Sequence, residues 1–277
     1  MMRRAEGNVM PRDIVLWLPF VLKIALTASF VVACSVIAER AGALLGALVV
    51  TLPASAGPSY VFLAMDHGAS FVAGAALGGV VMIAVNAVFA LVYAAVAQRH
   101  RIAASLAAAF AAWFALALVA GSVTWTFGGA IALSVATFLV CVPLAERFGH
   151  CPAPSAKHHW YDVPLRVLLV CTLVAAVIGL SSRLGPVLSG SFAMFPVALS
   201  SMGLILHPRV GGPAAAAVMA NTIPASAGFG TALALLHLTA VPLGSAPALC
   251  LALAVSVAWN MALWGLRRRG GLISARG

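Results

Sequence analysis

Long apolar runs that contain almost no charge are the feature that most constrains what this chain can fold into. Hydrophobic residues make up 63% of the sequence and charged residues 8%. The six acids and sixteen bases fall almost entirely between the apolar runs, where a bundle of membrane-spanning helices would place them. The pattern predicts an all-α polytopic membrane protein and argues against a water-soluble enzyme.

Charged and turn-rich breaks divide the chain into about nine predicted transmembrane helices. Their ranges are 14–37, 43–64, 68–97, 102–120, 124–145, 164–181, 185–206, 211–237 and 245–266, numbered here as spans 1 to 9. The predicted organisation is an N-terminal tail (1–13), a first four-helix repeat (14–120), a connector helix and loop (121–163), a second four-helix repeat (164–266) and a basic C-terminal tail (267–277).

An internal repeat links the two halves of the chain. A shift of 143 residues lays "ERAGALLGALVVTLP" (39–53) on "SRLGPVLSGSFAMFP" (182–196) without a gap. The matched positions are Arg40 with Arg183, Gly42 with Gly185, Leu45 with Leu188, Pro53 with Pro196, and further away Lys23 with Arg166 and Gly68 with Gly211. The shift covers five spans, an odd number, so the second copy enters the membrane from the opposite side. We therefore predict two inverted four-helix repeats, an arrangement typical of secondary transporters.

Spans 2 and 7 each contain a proline near the predicted bilayer midplane, about ten residues from the start of the span. Proline removes a helical hydrogen bond, and irregular backbone at that depth is expected only against protein or a water-filled cavity. Small and hydroxyl-bearing residues surround both prolines. We predict proline-broken helices that cross around a substrate site formed by Thr51, Pro53, Ser55, Gly57, Ser59, Pro196, Ser200 and Ser201. Ordinary kinks whose serines bond back to their own helix are the alternative.

Two asparagines are further candidates for the site. Asn86 lies in span 3, and Asn221 lies in span 8 within "VMANTIPASAGFG", where Pro224 predicts another helix break. An asparagine inside a membrane either lines a polar pathway or joins helices through its amide, and the sequence leaves both open.

The positions of the charges limit the coupling chemistry. Every acid lies near the end of a span or in the N-terminal tail, so we predict no intramembrane carboxylate pair for sodium or protons. Proton coupling would fall to His207, His237 or Asp66, which fit an interfacial position as well. Lys23 and Arg166, just inside the first span of each repeat, either extend to the membrane surface or attract anions to two vestibules.

The sequence lacks the motifs that are typical of several classes of function. The chain contains no Ser-His-Asp set, HExxH motif, phosphate-binding glycine loop or CxxC pair, so we predict no enzyme, metal site, cofactor or disulfide framework. The basic residues do not cluster with aromatic residues as in a nucleic-acid-binding surface, so we expect no nucleic-acid partner. The expected partners are the lipid bilayer and a small solute. The sequence does not decide whether the protein forms a homodimer. Ten Lys and Arg residues on the C-terminal side against four on the other predict a cytoplasmic C-terminus.

The second half carries a resemblance to a known family. The stretch "RLGPVLSGSFAMFPVALSSMG" (183–203), followed by a short charged turn and "GGPAAAA" (211–217), resembles small four-span bacterial membrane proteins of the GlpM-like type. The resemblance covers about Leu165 to Leu238, with a weaker mirror in Leu22 to Ala97. It implies a bacterial inner-membrane protein that looks like a fused, inverted pair of such units, and it carries over no catalytic residue.

These observations lead to one predicted function with open alternatives. We expect a secondary carrier or facilitator for a small polar or anionic solute, which binds where broken spans 2 and 7 cross. The alternatives are a channel, a lipid-handling protein or a membrane scaffold without transport activity.

Overall fold

The computed structural model of the chain describes residues 12–40, 56–148 and 161–274, and these residues form helices joined by short turns. The helices in chain order are α1 (Arg12–Arg40), α2 (Gly57–Asp66), α3 (Ala69–Val96), α4 (Ile102–Gly121), α5 (Phe127–Glu146), α6 (Asp162–Ala193), α7 (Val197–Val210), α8 (Gly212–Leu243) and α9 (Ser245–Ser274).

The helices have the length and composition of membrane spans. Six segments within the described ranges are long and apolar enough to cross a bilayer, namely 69–96, 102–121, 127–146, 162–210, 212–243 and 245–266, and Phe20–Cys34 is a shorter apolar helix. Since about 20 helical residues cover the hydrocarbon core, the chain is an all-α polytopic membrane protein, as predicted. The number of nine spans and the inverted-repeat layout stay predictions, because most of span 2 lies outside the described residues.

The longest of these segments reverses direction at Gly185. This glycine has φ 74° and ψ 177°, a left-handed conformation that glycine adopts without a Cβ penalty. The Ser189 hydroxyl lies 3.4 Å from the Ser181 carbonyl oxygen, whereas eight residues of straight helix would separate them by about 12 Å. Residues 162–184 and 186–210 therefore run antiparallel, and segment 162–210 passes along the bundle twice.

Contacts between helix termini define two ends of the bundle. At end A, His67 lies beside Ser181, and His237 lies beside Ala73. At end B, the contacts are Tyr93 with His207, Ala97 with Gly212, and Asp162 with Arg209. Helices α3 and α7 therefore finish at end B, whereas α6 and α8 start there.

Helices α3 and α8 form the centre of the bundle and run antiparallel. The most apolar stretch of α3 is 78% buried, against 39% or less in the other candidate spans. Gly79 of α3 lies against Leu233 of α8, between the contacts that join the two helices at end A and end B. Ala69 and Gly212, which begin these helices, are 143 positions apart, as are Ile102 and Ser245, which begin α4 and α9.

Glycines allow α3 and α6 to touch through their backbones. A Cβ on Gly190 would lie 1.8 Å from the Ala75 carbonyl oxygen, and a Cβ on Gly78 would lie 2.1 Å from the Val187 carbonyl oxygen. Small residues at a helix crossing are typical of membrane proteins, where close van der Waals contact replaces the hydrophobic effect. These glycines hold the chain just after the reversal against the central helix.

The predicted helix break at Pro224 is wrong, because α8 continues through this residue to Leu243. A proline inside a helix removes one backbone hydrogen bond, and packing against neighbouring helices can keep the rest of the helix in place. Trp259 of α9 donates from Nε1 to the Pro224 carbonyl oxygen at 3.1 Å, and the Ser226 hydroxyl donates to the Ile223 carbonyl oxygen at 2.7 Å.

Candidate functional site

The helical path is interrupted immediately before Val197. Helix α6 ends at Ala193 and α7 begins at Val197, with buried Pro196 as its N-cap. The Val197 amide donates to the Phe195 carbonyl oxygen at 2.7 Å, and the Ser200 amide donates to the Pro196 carbonyl oxygen at 2.9 Å. We call residues 194–196 the α6–α7 junction.

Asn86 of α3 bonds on both sides of its amide. Its Nδ2 donates to the Met194 carbonyl oxygen of the junction at 2.8 Å, and its Oδ1 accepts a hydrogen bond from Trp113 Nε1 at 2.8 Å. The side chain is 8% exposed, so these bonds are sheltered from water. This geometry favours the interpretation that Asn86 joins helices. Its amide donates to the Met194 carbonyl oxygen, which lies where the helix is interrupted.

Aromatic side chains cover the same junction. Phe195 packs against Trp113, Phe110 and Phe114 of α4, with ring centroids 5.1, 5.9 and 6.3 Å apart. The cluster makes the α4 side of the junction apolar, so a polar solute would not be bound from that side. Sequence reasoning missed this cluster, although the spacing of Phe110, Trp113 and Phe114 places them on one helical face.

Ser200 and Ser201 are buried in the first turns of α7 and use their hydroxyl hydrogens within their own helix. The Ser200 Oγ donates to the Val197 carbonyl oxygen at 3.1 Å, and the Ser201 Oγ donates to the Ala198 carbonyl oxygen at 3.0 Å. A solute at this position would meet two hydroxyl oxygens whose lone pairs remain open, so it would find acceptors more readily than donors.

Ser59 has no such local bond. It lies in the first turn of α2, after Gly57 and Pro58, and is 0% exposed. Its Oγ has no hydrogen-bond partner in the structure, a property that among the described residues it shares with Ser256 of α9. Burying a hydroxyl without a partner costs about 1–3 kcal/mol, so the position calls for an explanation. Nearby, the Tyr60 hydroxyl donates to the Ala75 carbonyl oxygen at 3.1 Å and fixes α2 on α3.

The structure does not bring all the predicted site residues together. Helix α2 packs on α6 and α3, whereas α7 packs on α8, α6 and α4. Asn221 of α8 is exposed and donates to the Ala217 carbonyl oxygen of its own helix at 2.9 Å. Thr51, Pro53 and Ser55 lie outside the described residues, so the crossing of spans 2 and 7 around them stays a prediction.

Among the described residues, an acid–base pair joins the first two helices of a predicted repeat at each end of the bundle. At end B, the Arg209 guanidinium donates to both carboxylate oxygens of Asp162, with 2.7 Å from Nη1 to Oδ2. At end A, Lys23 of α1 pairs with Asp66 of α2. The bases also lie over aromatic rings, with Lys23 Nζ 5.9 Å from the Phe62 centroid and Arg209 Cζ 5.4 Å from the Tyr161 centroid.

The charge order is exchanged between the two pairs. Asp66 and Arg209 occupy positions matched by the 143-residue shift, so the second helix supplies the acid in one pair and the base in the other. Sequence reasoning grouped Lys23 with Arg166 and did not predict either ion pair. Asp66 and Arg209 occupy matched positions but have opposite charges. This reversal was the sequence signal that each could pair with a residue of opposite charge on the preceding span.

Histidines join the two predicted halves at both ends. The His67 Nε2 lies 2.9 Å from the Ser181 Oγ, and the His207 Nδ1 lies 2.9 Å from the Tyr93 hydroxyl. The His237 Nδ1 donates to the Ala73 carbonyl oxygen at 2.8 Å, and its ring stacks on Phe127 with centroids 5.0 Å apart. Each of these contacts therefore links helices that are distant in sequence.

Comparisons with known protein families, curated proteins and solved structures return no match to this chain.

Proposed function

We propose that this protein is a multi-pass bacterial inner-membrane carrier or facilitator of a small polar or anionic solute, with its C-terminus in the cytoplasm. The observation that carries the proposal is the antiparallel packing of α3 on α8. Their first residues are separated by the same 143 positions as the sequence repeat. Two copies of one unit that lie antiparallel in a bilayer are an inverted repeat, a layout built for exchange between outward-open and inward-open states.

The acid–base pairs support the same arrangement. Each pair fastens the first span of a predicted repeat to the end of the second, at end A in one copy and at end B in the other. In this proposal the two spans joined by each ion pair move as a unit, while the contacts between the copies change. The ion pairs therefore keep these two spans together during transport.

The proposed solute site lies where α2 and α7 begin. Helix α2 has ten residues and ends at Asp66 at end A, so it extends about 15 Å into the bundle. Helix α7 has fourteen residues and finishes beside Arg209 at end B, so it extends about 21 Å from the opposite end. Both helices therefore begin at about half the depth of the bilayer, and their positive dipole ends favour anions or hydrogen-bond acceptors.

Ser59 is the described residue with the strongest reason to bind a solute. Its hydroxyl is enclosed and unpartnered, and it lies in the first turn of a helix that begins at mid-depth. A carboxylate or carbonyl oxygen of a solute would supply the missing acceptor. The proposal accordingly assigns the acceptor group of the solute to Gly57 and Ser59, and a donor group of the solute to the hydroxyl oxygens of Ser200 and Ser201 on the second half-helix.

The test begins with a thermal-shift screen of small carboxylates, amino acids and polyols on purified protein. Any compound that raises the melting temperature is then used in counter-flow measurements on proteoliposomes. We expect saturable exchange, which Ser59→Ala reduces at least about tenfold, as loss of a buried hydrogen bond to an anion predicts.

Ser256→Ala is the matched control, because it also removes a buried hydroxyl without a partner, and it lies in α9, to which the proposal assigns no solute-binding residue. Equal loss in both variants, or unchanged exchange in Ser59→Ala, would reject the site. Flux that rises linearly with solute concentration would instead identify a channel.

A further inference from the structure

We infer that transport is coupled to protons, with His67 at end A and His207 at end B as the two proton-binding residues. The inference rests on the proposed function and adds its coupling ion. Both histidines form hydrogen bonds between the two predicted repeats, and they do so at opposite ends of the bundle. Their hydrogen-bond roles differ, so a proton has opposite effects on the two contacts.

At end B, the His207 ring accepts a hydrogen bond. The Tyr93 hydroxyl is completely buried, and His207 Nδ1 is its hydrogen-bond partner in the part of the chain that the structure describes. A buried phenol needs an acceptor for its hydrogen, which makes Nδ1 the lone-pair nitrogen of a neutral ring. With Nδ1 accepting from Tyr93, the hydrogen of the neutral ring is on Nε2.

At end A, the His67 ring donates. The Ser181 hydroxyl gives its single hydrogen to the Ile178 carbonyl oxygen at 3.0 Å. Its oxygen therefore accepts from His67 Nε2, which lies 2.9 Å away and carries the ring proton. The ring stacks on Phe71 with centroids 3.8 Å apart, so its orientation is fixed.

Adding a proton changes the two contacts in opposite directions. A proton taken by His207 from water at end B goes to Nδ1, which can then only donate, to the Tyr93 oxygen. The Tyr93 hydrogen loses its acceptor, so the contact between α3 and α7 weakens. A proton taken by His67 from water at end A goes to Nδ1, which leaves the Nε2 bond to Ser181 in place and makes it charge-assisted. Protonation therefore opens end B and holds end A closed.

The charged groups around each histidine are compensated by partners of their own. Next to His67 lies Asp66, which is paired with Lys23 of α1. Two residues beyond His207 lies Arg209, which is paired with Asp162 of α6. Tyr93 from α3, the main chain of His100 and Gly212 from α8 complete the surroundings of His207.

The experiment measures the separation of the repeats at each end without a known solute. The five native cysteines are replaced, and spin labels are attached to exposed positions. Arg99→Cys with Pro164→Cys reports on end B, and Ser122→Cys with Ser182→Cys reports on end A. Distances are recorded in nanodiscs at about pH 8 and about pH 5.5, which bracket the titration of histidine.

We expect acid to increase the population with a longer end B distance severalfold, from about 10% or less, while the end A distances do not lengthen. His207→Gln should remove the response, because the glutamine Oε1 accepts from Tyr93 at every pH. Tyr93→Phe should raise the longer-distance population at both pH values. An acid response that persists in His207→Gln would overturn the assignment of His207.

The coupling and the proposed function can fail separately. If the spin-label distances in the wild-type protein do not change with pH but the proteoliposomes exchange solute, the protein is a carrier without this proton coupling. If the pH response of the distances depends on His207 but no solute is exchanged, the assignment of His207 as a proton-binding residue is supported and the proposed function is rejected. Acid lengthening of the end A distances would overturn the role of His67.

Discussion

The Asp162 carboxylate, at the start of α6, and the Arg209 guanidinium, near the end of α7, form a bidentate ion pair that closes the hairpin reversing at Gly185. The Asp162 side chain is 1% exposed, so loss of Arg209 would remove a bidentate positive partner from a buried carboxylate. The pair therefore has more effect on stability than an ion pair at a wet surface.

We predict that Arg209→Ala lowers the melting temperature of the detergent-solubilised protein by about 5 °C or more. Lys23→Ala should lower it by about 2 °C or less, because its partner Asp66 is 32% exposed and can be hydrated. The exchange Asp162→Arg with Arg209→Asp should recover part of the loss. Equal effects at the two ends would contradict this account of burial.

Gly190 tests the backbone contact between α3 and α6. Gly190→Ala places a Cβ against the Ala75 main chain, so the helices must separate, and we expect loss of folded protein or a melting temperature lowered by about 5 °C or more. Gly179→Ala in the same helix is the control, because a Cβ there meets nothing within 4 Å. Gly179→Ala should be neutral or stabilising. Size-exclusion chromatography and thermal unfolding distinguish these outcomes.

Asn86 tests how the α6–α7 junction is held. Asn86→Leu removes the donor to the Met194 carbonyl and the acceptor for Trp113, so we expect the free energy of unfolding to fall by about 2 kcal/mol or more. Asn221 is exposed, and Asn221→Leu removes only a bond to its own helix, so its effect should stay below about 1 kcal/mol. Chemical unfolding measures both, and comparable losses would argue against the junction role of Asn86.

Local features of the sequence predict the positions of many helices. The sequence predicts spans 3, 4 and 8 at 68–97, 102–120 and 211–237, and the structure has helices at Ala69–Val96, Ile102–Gly121 and Gly212–Leu243. Charged turns and glycines determine where a helix ends within a few residues of their own position, so helix ends can be predicted from the local sequence. The prediction of an all-α membrane protein is confirmed for the same reason.

The partners of polar side chains depend on packing between distant segments and could not be predicted in the same way. The sequence repeat matches Lys23 with Arg166, whereas the partner of Lys23 in space is Asp66. The sequence predicts a helix break at Pro224, but α8 continues through this residue and packs there against α9, where Trp259 donates to the Pro224 carbonyl oxygen. Of the predicted site residues, Ser200 and Ser201 bond within α7, whereas Ser59 is the one whose hydroxyl is buried without a partner over the described ranges.

The most direct test of the proposed carrier is the accessibility of position 59 from both sides of the membrane. Ser59 is fully buried here, so a reagent reaches it only if the protein opens. With Ser59→Cys in a protein otherwise free of cysteine, the account predicts labelling by an impermeant thiol reagent added from either side, and none at Ser256→Cys. Labelling of position 59 from neither side, or from one side only, would contradict the claim that the two halves expose a central site alternately.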